Sequence, residues 1–343
     1  MRARTRAQGL AILALVVLGP ALALGAPRAR VPERAPGPFP AQPSFVQRVE
    51  AAVVGLRVRN APDAVSSSRL GARRSGSAVV FDARGYAVTV SYLLLDALEI
   101  EARMRDGRTV PARLVGLDLE SGLGVVRLED GGPWAAAALG RSEDVEVGAR
   151  TATVGVSDDG ELIAVVGAVH AIRRFSAYWE YMLERALYLA PSSPDWAGSA
   201  VVNDRGEVVG IASLRLGEDP HVNLAIPLET FVPVKDELIA AGRIASRPTR
   251  PWLGLYTLDL DGGVVVSEVS PVGPAARAGF RRGDVIVGVD GVTVGSQEEF
   301  YRRLWSRRAG DLIEVAVRRS DRVHVITVPS IDRYRLYPSR TGE

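Results

Sequence analysis

The chain is predicted to be mainly β, with a large all-β region followed by a small α+β module. Three observations lead there. From Phe45 to about Leu228, short β-type runs recur between Gly-bearing turns, with little helix. A polar stretch with two prolines, residues 243–251, then interrupts the pattern. Beyond it, strand-like runs alternate with one capped helical segment, the mix of a small two-layer domain. With 343 residues and 47% hydrophobic content, the chain has room for two or three domains with buried cores.

Residues 1–26 carry Arg2, Arg4 and Arg6, then the apolar run Gly9 to Leu24, then small residues at Ala21, Ala23 and Ala26. That is the layout of a secretory signal peptide. The run is short for a bilayer span and holds Pro20, which favours cleavage; an uncleaved N-terminal anchor, and so a membrane tether, is the alternative. Residues 27–44 are rich in proline and read as an extended linker. Export and the absence of Cys together point to the periplasm or cell envelope, with no disulfide or thiolate metal site. No metal site or cofactor is predicted. The 42 basic residues face 40 acidic ones, and residues 1–26 hold three of the bases and no acid. The remainder is near neutral, with signs interleaved as in Arg281-Arg282-Gly283-Asp284, which argues against nucleic acid.

Strands are predicted at Ser77 to Asp82 and Tyr86 to Thr89, then a hairpin from Ile100 to Met104 and Val110 to Val115 about the turn Asp106-Gly107. Further strands run from Leu123 to Leu128, Arg150 to Val156, Ala164 to Ala171, Leu187 to Ala190, Ala200 to Asn203, Val208 to Ser213 and Asn223 to Ile226. So many short strands close into a barrel or stack as a sandwich, because a lone sheet would leave edges and an apolar face in water. A helix is predicted from Glu229 to Ala241, ending at Gly242. In the second module strands are expected at Val264 to Val269, Val285 to Val289, Ile313 to Arg318 and Val323 to Val328. A helix from Gln297 to Trp305 starts at Ser296 as N-cap. Residues 333–343 read as a frayed tail.

Several ordered motifs carry a resemblance. Gly76-Ser77-Ala78-Val79-Val80, Asp106-Gly107-Arg108 with Ala112-Arg113-Leu114-Val115-Gly116, and Leu139-Gly140-Arg141-Ser142 with Val147-Gly148 come first. Asn203 to Ile211 and Leu224-Ala225-Ile226-Pro227 follow. In this order they resemble the HtrA/DegP/DegS family of envelope serine proteases over residues 45–330. The resemblance implies a chymotrypsin-like double β-barrel over residues 45–242 and a PDZ domain over residues 252–332. It also locates the catalytic positions. Where the family has TNNHVV, this chain has Thr89-Val90-Ser91-Tyr92-Leu93-Leu94; where it has DLAVL, Gly122-Leu123-Gly124-Val125-Val126; and where it has GNSGG, Asp195-Trp196-Ala197-Gly198-Ser199. The triad positions are thus Tyr92, Gly122 and Ala197. A phenol with a pKa near ~10 takes no proton at neutral pH, and Gly and Ala carry no reactive atom. No His precedes His170, Ser199 lies two residues beyond the nucleophile position, and Lys235 falls after the barrels, so no neighbour restores the set.

The PDZ features are retained in sequence. Trp252-Leu253-Gly254-Leu255 has the form of the loop that, in PDZ domains, turns backbone N–H groups toward a peptide's terminal carboxylate. Ser270-Pro271 to Gly279-Phe280 and Gly283-Asp284-Val285-Ile286 resemble the segment that follows. Phe300, on the helix expected to form the second wall of the groove, is predicted to enter the peptide pocket, with a core role for Phe300 and Leu304 as the alternative. The expected function is an inactive HtrA-like envelope protein that binds peptide C-termini in protein quality control. As an adaptor, regulator or chaperone it would assemble as a homotrimer or join active relatives in a heteromer. Two alternatives stand beside it, an active serine endopeptidase and a structural envelope subunit.

Overall fold

Residues 42–260 and 263–337 are described by the structure, a computed structural model. The predicted signal peptide, nearly all of the Pro-rich linker and residues 338–343 lie outside the described residues. No helix of the described residues is long and apolar enough to cross a membrane.

A one-turn helix α1 (Ser44–Gln47) buries Phe45 and Val46 and leads into β1 (Val53–Asn60). After α2 (Ser67–Leu70) come β2 (Arg73–Val80) and β3 (Tyr86–Val90), then α3 (Ser91–Leu94). Strands β4 (Ala97–Arg103), β5 (Thr109–Asp118) and β6 (Leu123–Leu128) complete a closed barrel in the order β1-β2-β3-β6-β5-β4. The hairpin about Asp106-Gly107 stands where predicted. β1 has no counterpart among the predicted strands, because Val53 to Leu56 are buried in succession and break the period-2 signal.

A second closed barrel follows, ordered β10-β11-β12-β9-β8-β7. It is built from β7 (Arg150–Val156), β8 (Leu162–Ala177), β9 (Tyr181–Ala190), β10 (Ala200–Asn203), β11 (Val208–Leu216) and β12 (Val222–Pro227). One apolar cluster runs through both barrels, with Leu56, Leu123, Ile211 and Leu224 fully buried in it. At roughly 1.5–3 kcal/mol per fully buried side chain, this continuity is what holds the two barrels together.

Two predicted elements are corrected here. The β8–β9 hairpin is much longer than the segments Ala164 to Ala171 and Leu187 to Ala190. Arg173, Arg174 and Glu184 interrupt the apolar pattern in its outer half; Arg173 pairs with Ala186, and Arg174 and Glu184 fall in a register shift after which pairing resumes at Phe175 with Leu183. The helix expected from Glu229 is only α4 (Lys235–Ala241), preceded by a 3-10 turn at Leu228–Thr230. Pro233 lies between them, and with no N–H to donate it breaks one helix into two. The stop at Gly242, in the left-handed region, agrees with the prediction.

The second module opens with β13 (Pro251–Trp252), β14 (Leu255–Leu260), β15 (Gly263–Val269), α5 (Pro274–Ala278), β16 (Val285–Val289) and β17 (Val292–Thr293). It continues with α6 (Gln297–Leu304), β18 (Leu312–Arg319), β19 (Arg322–Pro329) and β20 (Ile331–Asp332). Its main sheet runs β14-β15-β16-β18-β19, which leaves β14 as an edge strand. The predicted cap of α6 is present, with Ser296 Oγ accepting from the Glu299 N–H at 3.2 Å.

The two modules are packed together. Met182 of β9 belongs to the apolar core of the second module. Arg174 and Glu184 of the hairpin form ion pairs with Glu298 and Arg302 of α6, at 2.5 and 2.6 Å. In the polar stretch 243–251, Arg247 pairs with Asp118 and Arg250 with Glu120, both at 3.1 Å. The predicted frayed tail is ordered over its described part: Arg333–Leu336 form a 3-10 turn, and the Tyr334 hydroxyl accepts from the Leu119 N–H at 3.0 Å.

Candidate functional site

The three residues that the resemblance aligns with a catalytic triad, Tyr92, Gly122 and Ala197, lie around the junction of the barrels, and the surroundings of each are filled in a different way. Tyr92 is on α3, directly after β3. Its hydroxyl donates to the Ser213 carbonyl of β11 at 2.7 Å, tying one barrel to the other. Burial pushes this phenol further above its ordinary range, outweighing the opposing hydrogen bond with Trp196. A phenol already committed to a carbonyl, and this weak an acid, has no role as a general base at neutral pH.

Gly122 has φ +83°, and a Cβ placed there would stand 2.8 Å from the Tyr181 hydroxyl oxygen. Tyr181, at the start of β9, fills the space that a carboxylate at this position would need. Its own hydroxyl donates to the Ser121 carbonyl at 2.6 Å. Ala197 presents only a methyl group, and its carbonyl accepts from the Ser77 N–H at 2.7 Å. Ser199 is fully buried with its hydroxyl donated to the Asp195 carbonyl, so it is no substitute nucleophile. His170 and His324 are exposed on β8 and β19, and His221 sits in the β11–β12 connection with Nδ1 2.7 Å from the Gly217 carbonyl.

A cleft of about 360 Å³ joins this region to the second module. Tyr92, Gly122 and Tyr181 line it on one side, and Gly254, Leu255 and Tyr256 on the other. The loop predicted to hold a carboxylate does hold one, but from within the chain. Glu180, between β8 and β9, sends its side chain into the loop: Leu253 N–H donates to Oε2 at 3.1 Å, and the Gly254 and Leu255 N–H groups donate to Oε1 at 2.7 Å each. Gly254 has φ +83°, and a Cβ there would lie 2.9 Å from the Gly273 Cα, so only glycine lets the three amides converge. Trp252 pairs with Ile331 behind this loop, and its ring would meet that same Cβ at 3.0 Å.

Glu180 is 6% exposed, and burial raises its carboxyl to about 7, more than the three amides and the charge of Arg333 bring it down. Tyr301 of α6 completes the cradle. Its hydroxyl donates to the Ala177 carbonyl at 2.7 Å and accepts from the Glu180 N–H at 3.0 Å. Phe300, the predicted groove residue, is instead 0% exposed in the core of the module together with Leu304, and the α6 side chain that reaches the hairpin tip is its neighbour Tyr301. The helix turns by about 100° per residue, so the two adjacent rings face different ways.

Comparison with known proteins supports the sequence resemblance. The trypsin-like peptidase domain family matches residues 76–211, and the PDZ domain family matches residues 251–329. The chain is 29% identical over 307 residues to the serine endoprotease DegS of Escherichia coli, covering 81% of this chain and 82% of that one. It is 30% identical over 278 residues to a probable periplasmic serine endoprotease DegP-like protein of Halomonas elongata, covering 75% of this chain and 56% of that protein. Among solved structures, the HtrA-type protease AlgW with a decapeptide matches at a TM-score of 0.54 and 26% identity, over 84% of this chain and 98% of that one. The chain has a trypsin-like domain followed by a PDZ domain, and in this order it is similar to HtrA-type proteases.

In this HtrA-like chain the sequence singled out the loop of Leu253 to Leu255, whose amides do converge on a carboxylate, but not Glu180, Tyr181 or Tyr301. The signal was present as the dense run Tyr178-Trp179-Glu180-Tyr181, an unusual composition for the tip of a hairpin. Among the described residues no cluster of His, Cys, Asp and Glu could hold a metal.

Proposed function

We propose that this protein is a catalytically inactive HtrA-like member of the cell envelope that binds exposed peptide C-termini through its PDZ module. It acts as an adaptor or regulator beside active relatives, as a homotrimer or a heteromer. The observation that carries the inactive reading is the pair Gly122 and Tyr181. The place of the orienting carboxylate is filled by an aromatic ring, while the base position is a phenol bonded to a carbonyl. A triad stripped of all three members retains only what binding and backbone dipoles supply, several orders of magnitude below an intact one. The peptide-binding reading is supported by the three convergent amides of Leu253 to Leu255 and by the solved peptide complex of AlgW. The periplasmic naming of a relative, together with the charged and apolar start of the chain, supports the envelope location.

Incubating the full chain with unfolded casein and a fluorophosphonate probe tests inactivity. The expected result is neither cleavage nor labelling, and labelling abolished by Ser199→Ala would overturn it. An array of peptides with free C-termini, applied to both the wild type and Glu180→Ala, tests the binding role. Failure of every member with both proteins would remove it.

A further inference from the structure

The hairpin tip meets the PDZ module in the pattern of an added strand. Every second amide of an edge strand points away from its sheet, and on β14 these are the amides of Leu255 and Thr257. Leu255 N–H donates to Glu180 Oε1 and Thr257 N–H donates to the Tyr178 carbonyl at 2.8 Å. The two acceptors are two residues apart, as are the two donors, and they run in opposite directions along the chain. That is antiparallel register. A C-terminal peptide would use the same two rows, its last carboxylate on the loop amides and the carbonyl two residues earlier on Thr257. On the far side of the tip, Tyr301 from α6 holds the Ala177 carbonyl and the Glu180 N–H. Its one proton goes to Ala177, so the Thr257 hydroxyl, 3.1 Å away, faces an oxygen that has no proton left to give.

We infer that residues Tyr178 to Glu180 are an internal ligand of the PDZ module, with the Glu180 side-chain carboxylate standing in for a peptide C-terminus. The inference rests on the reading of this loop as a peptide site. An external C-terminus then does not enter an open groove. It must displace the tip, and its apparent affinity falls by the fraction of molecules in which the tip is released. The ligand class follows from the donors being competed for: a peptide with a free terminal carboxylate that pairs along β14, and not one whose terminus is blocked.

The test uses the full chain and the peptide Ser-Ala-Tyr-Trp-Val, which repeats Ser176 to Trp179 with valine in place of Glu180 and ends in a free or an amidated carboxyl. Binding is measured to the wild type, to Glu180→Ala, and to Tyr301→Phe, which keeps the ring in the core but loses both tip contacts. Expected is binding of the free acid to both variants about tenfold or more tighter than to the wild type, with the amide inert. Equal affinity for all three proteins would overturn the internal ligand while leaving peptide binding intact. If no protein binds the probe, amide exchange decides. Protection of Leu253 to Leu255 that is lost in Glu180→Ala upholds the inference, and fast exchange of these amides in the wild type ends it.

Discussion

At position 122 the backbone sits at φ +83° beneath the Tyr181 hydroxyl, and at position 92 the phenol is tied to Ser213. On the proposed reading the aligned positions are filled by neighbouring groups as well as lacking triad side chains, so placing the three triad residues there is not enough. In Tyr92→His/Gly122→Asp/Ala197→Ser the new carboxylate would clash with the Tyr181 ring and occupy a backbone region that costs an L-residue about 1–2 kcal/mol. A serine–histidine pair without its oriented carboxylate loses on the order of 10⁴ in kcat. The triple variant is expected to react with a fluorophosphonate no faster than Tyr92→His/Ala197→Ser. Adding Tyr181→Ala to the triple variant is expected to raise the labelling rate. A triple variant that already outpaces the double variant would show that Tyr181 yields easily.

The β8–β9 hairpin and the Gly254 loop are the elements that make the molecule unlike a simple pair of domains, and they draw on different interactions. The ion pairs of Arg302 with Glu184 and Glu298 are about half exposed, so Arg302→Ala should lower stability by less than ~1 kcal/mol. Gly254→Ala would place a methyl group against the backbone of Gly273 in a left-handed position, and should cost about 2 kcal/mol or more. Urea denaturation of both variants checks the contrast; comparable losses would contradict it. The same two elements mark the limits of reading the sequence. The barrel strands around Val125 and Ile211 were legible as short apolar, β-branched runs bounded by glycine-bearing turns, although both are buried almost in succession. So was the loop at Gly254, because convergent amides need glycine at that point. The outer half of the hairpin was not, since Arg174 and Glu184 are set by partners on α6 more than a hundred residues away, and local periodicity carries no trace of them. Glu180 was hidden for the same reason.

For the molecule as a whole, the docking of the two modules should depend on pH through Glu180. Its carboxyl titrates at about 7 when docked and at 4.5 when free, so the docked state holds the proton more tightly. The stabilisation is thus fully present below about pH 4.5 and is lost as pH rises through about 7, by up to about 3 kcal/mol in all. The groups facing it are the amides of Leu253 to Leu255, the Tyr301 hydroxyl and the Arg333 charge. Tryptophan fluorescence, with Trp179 beside Glu180, should report looser docking at pH 8 than at pH 5 in the wild type, and no such change in Glu180→Gln. A wild-type signal as flat as that of the variant would contradict this. Severing the chain between Ile244 and Pro251 would have a harsher effect. One fragment would keep a sequestered acid with no donors, and the other an uncovered row of strand amides beside apolar surface. Each piece would be stickier than the parent, so aggregation on limited digestion is the natural behaviour of a protein whose halves shield one another.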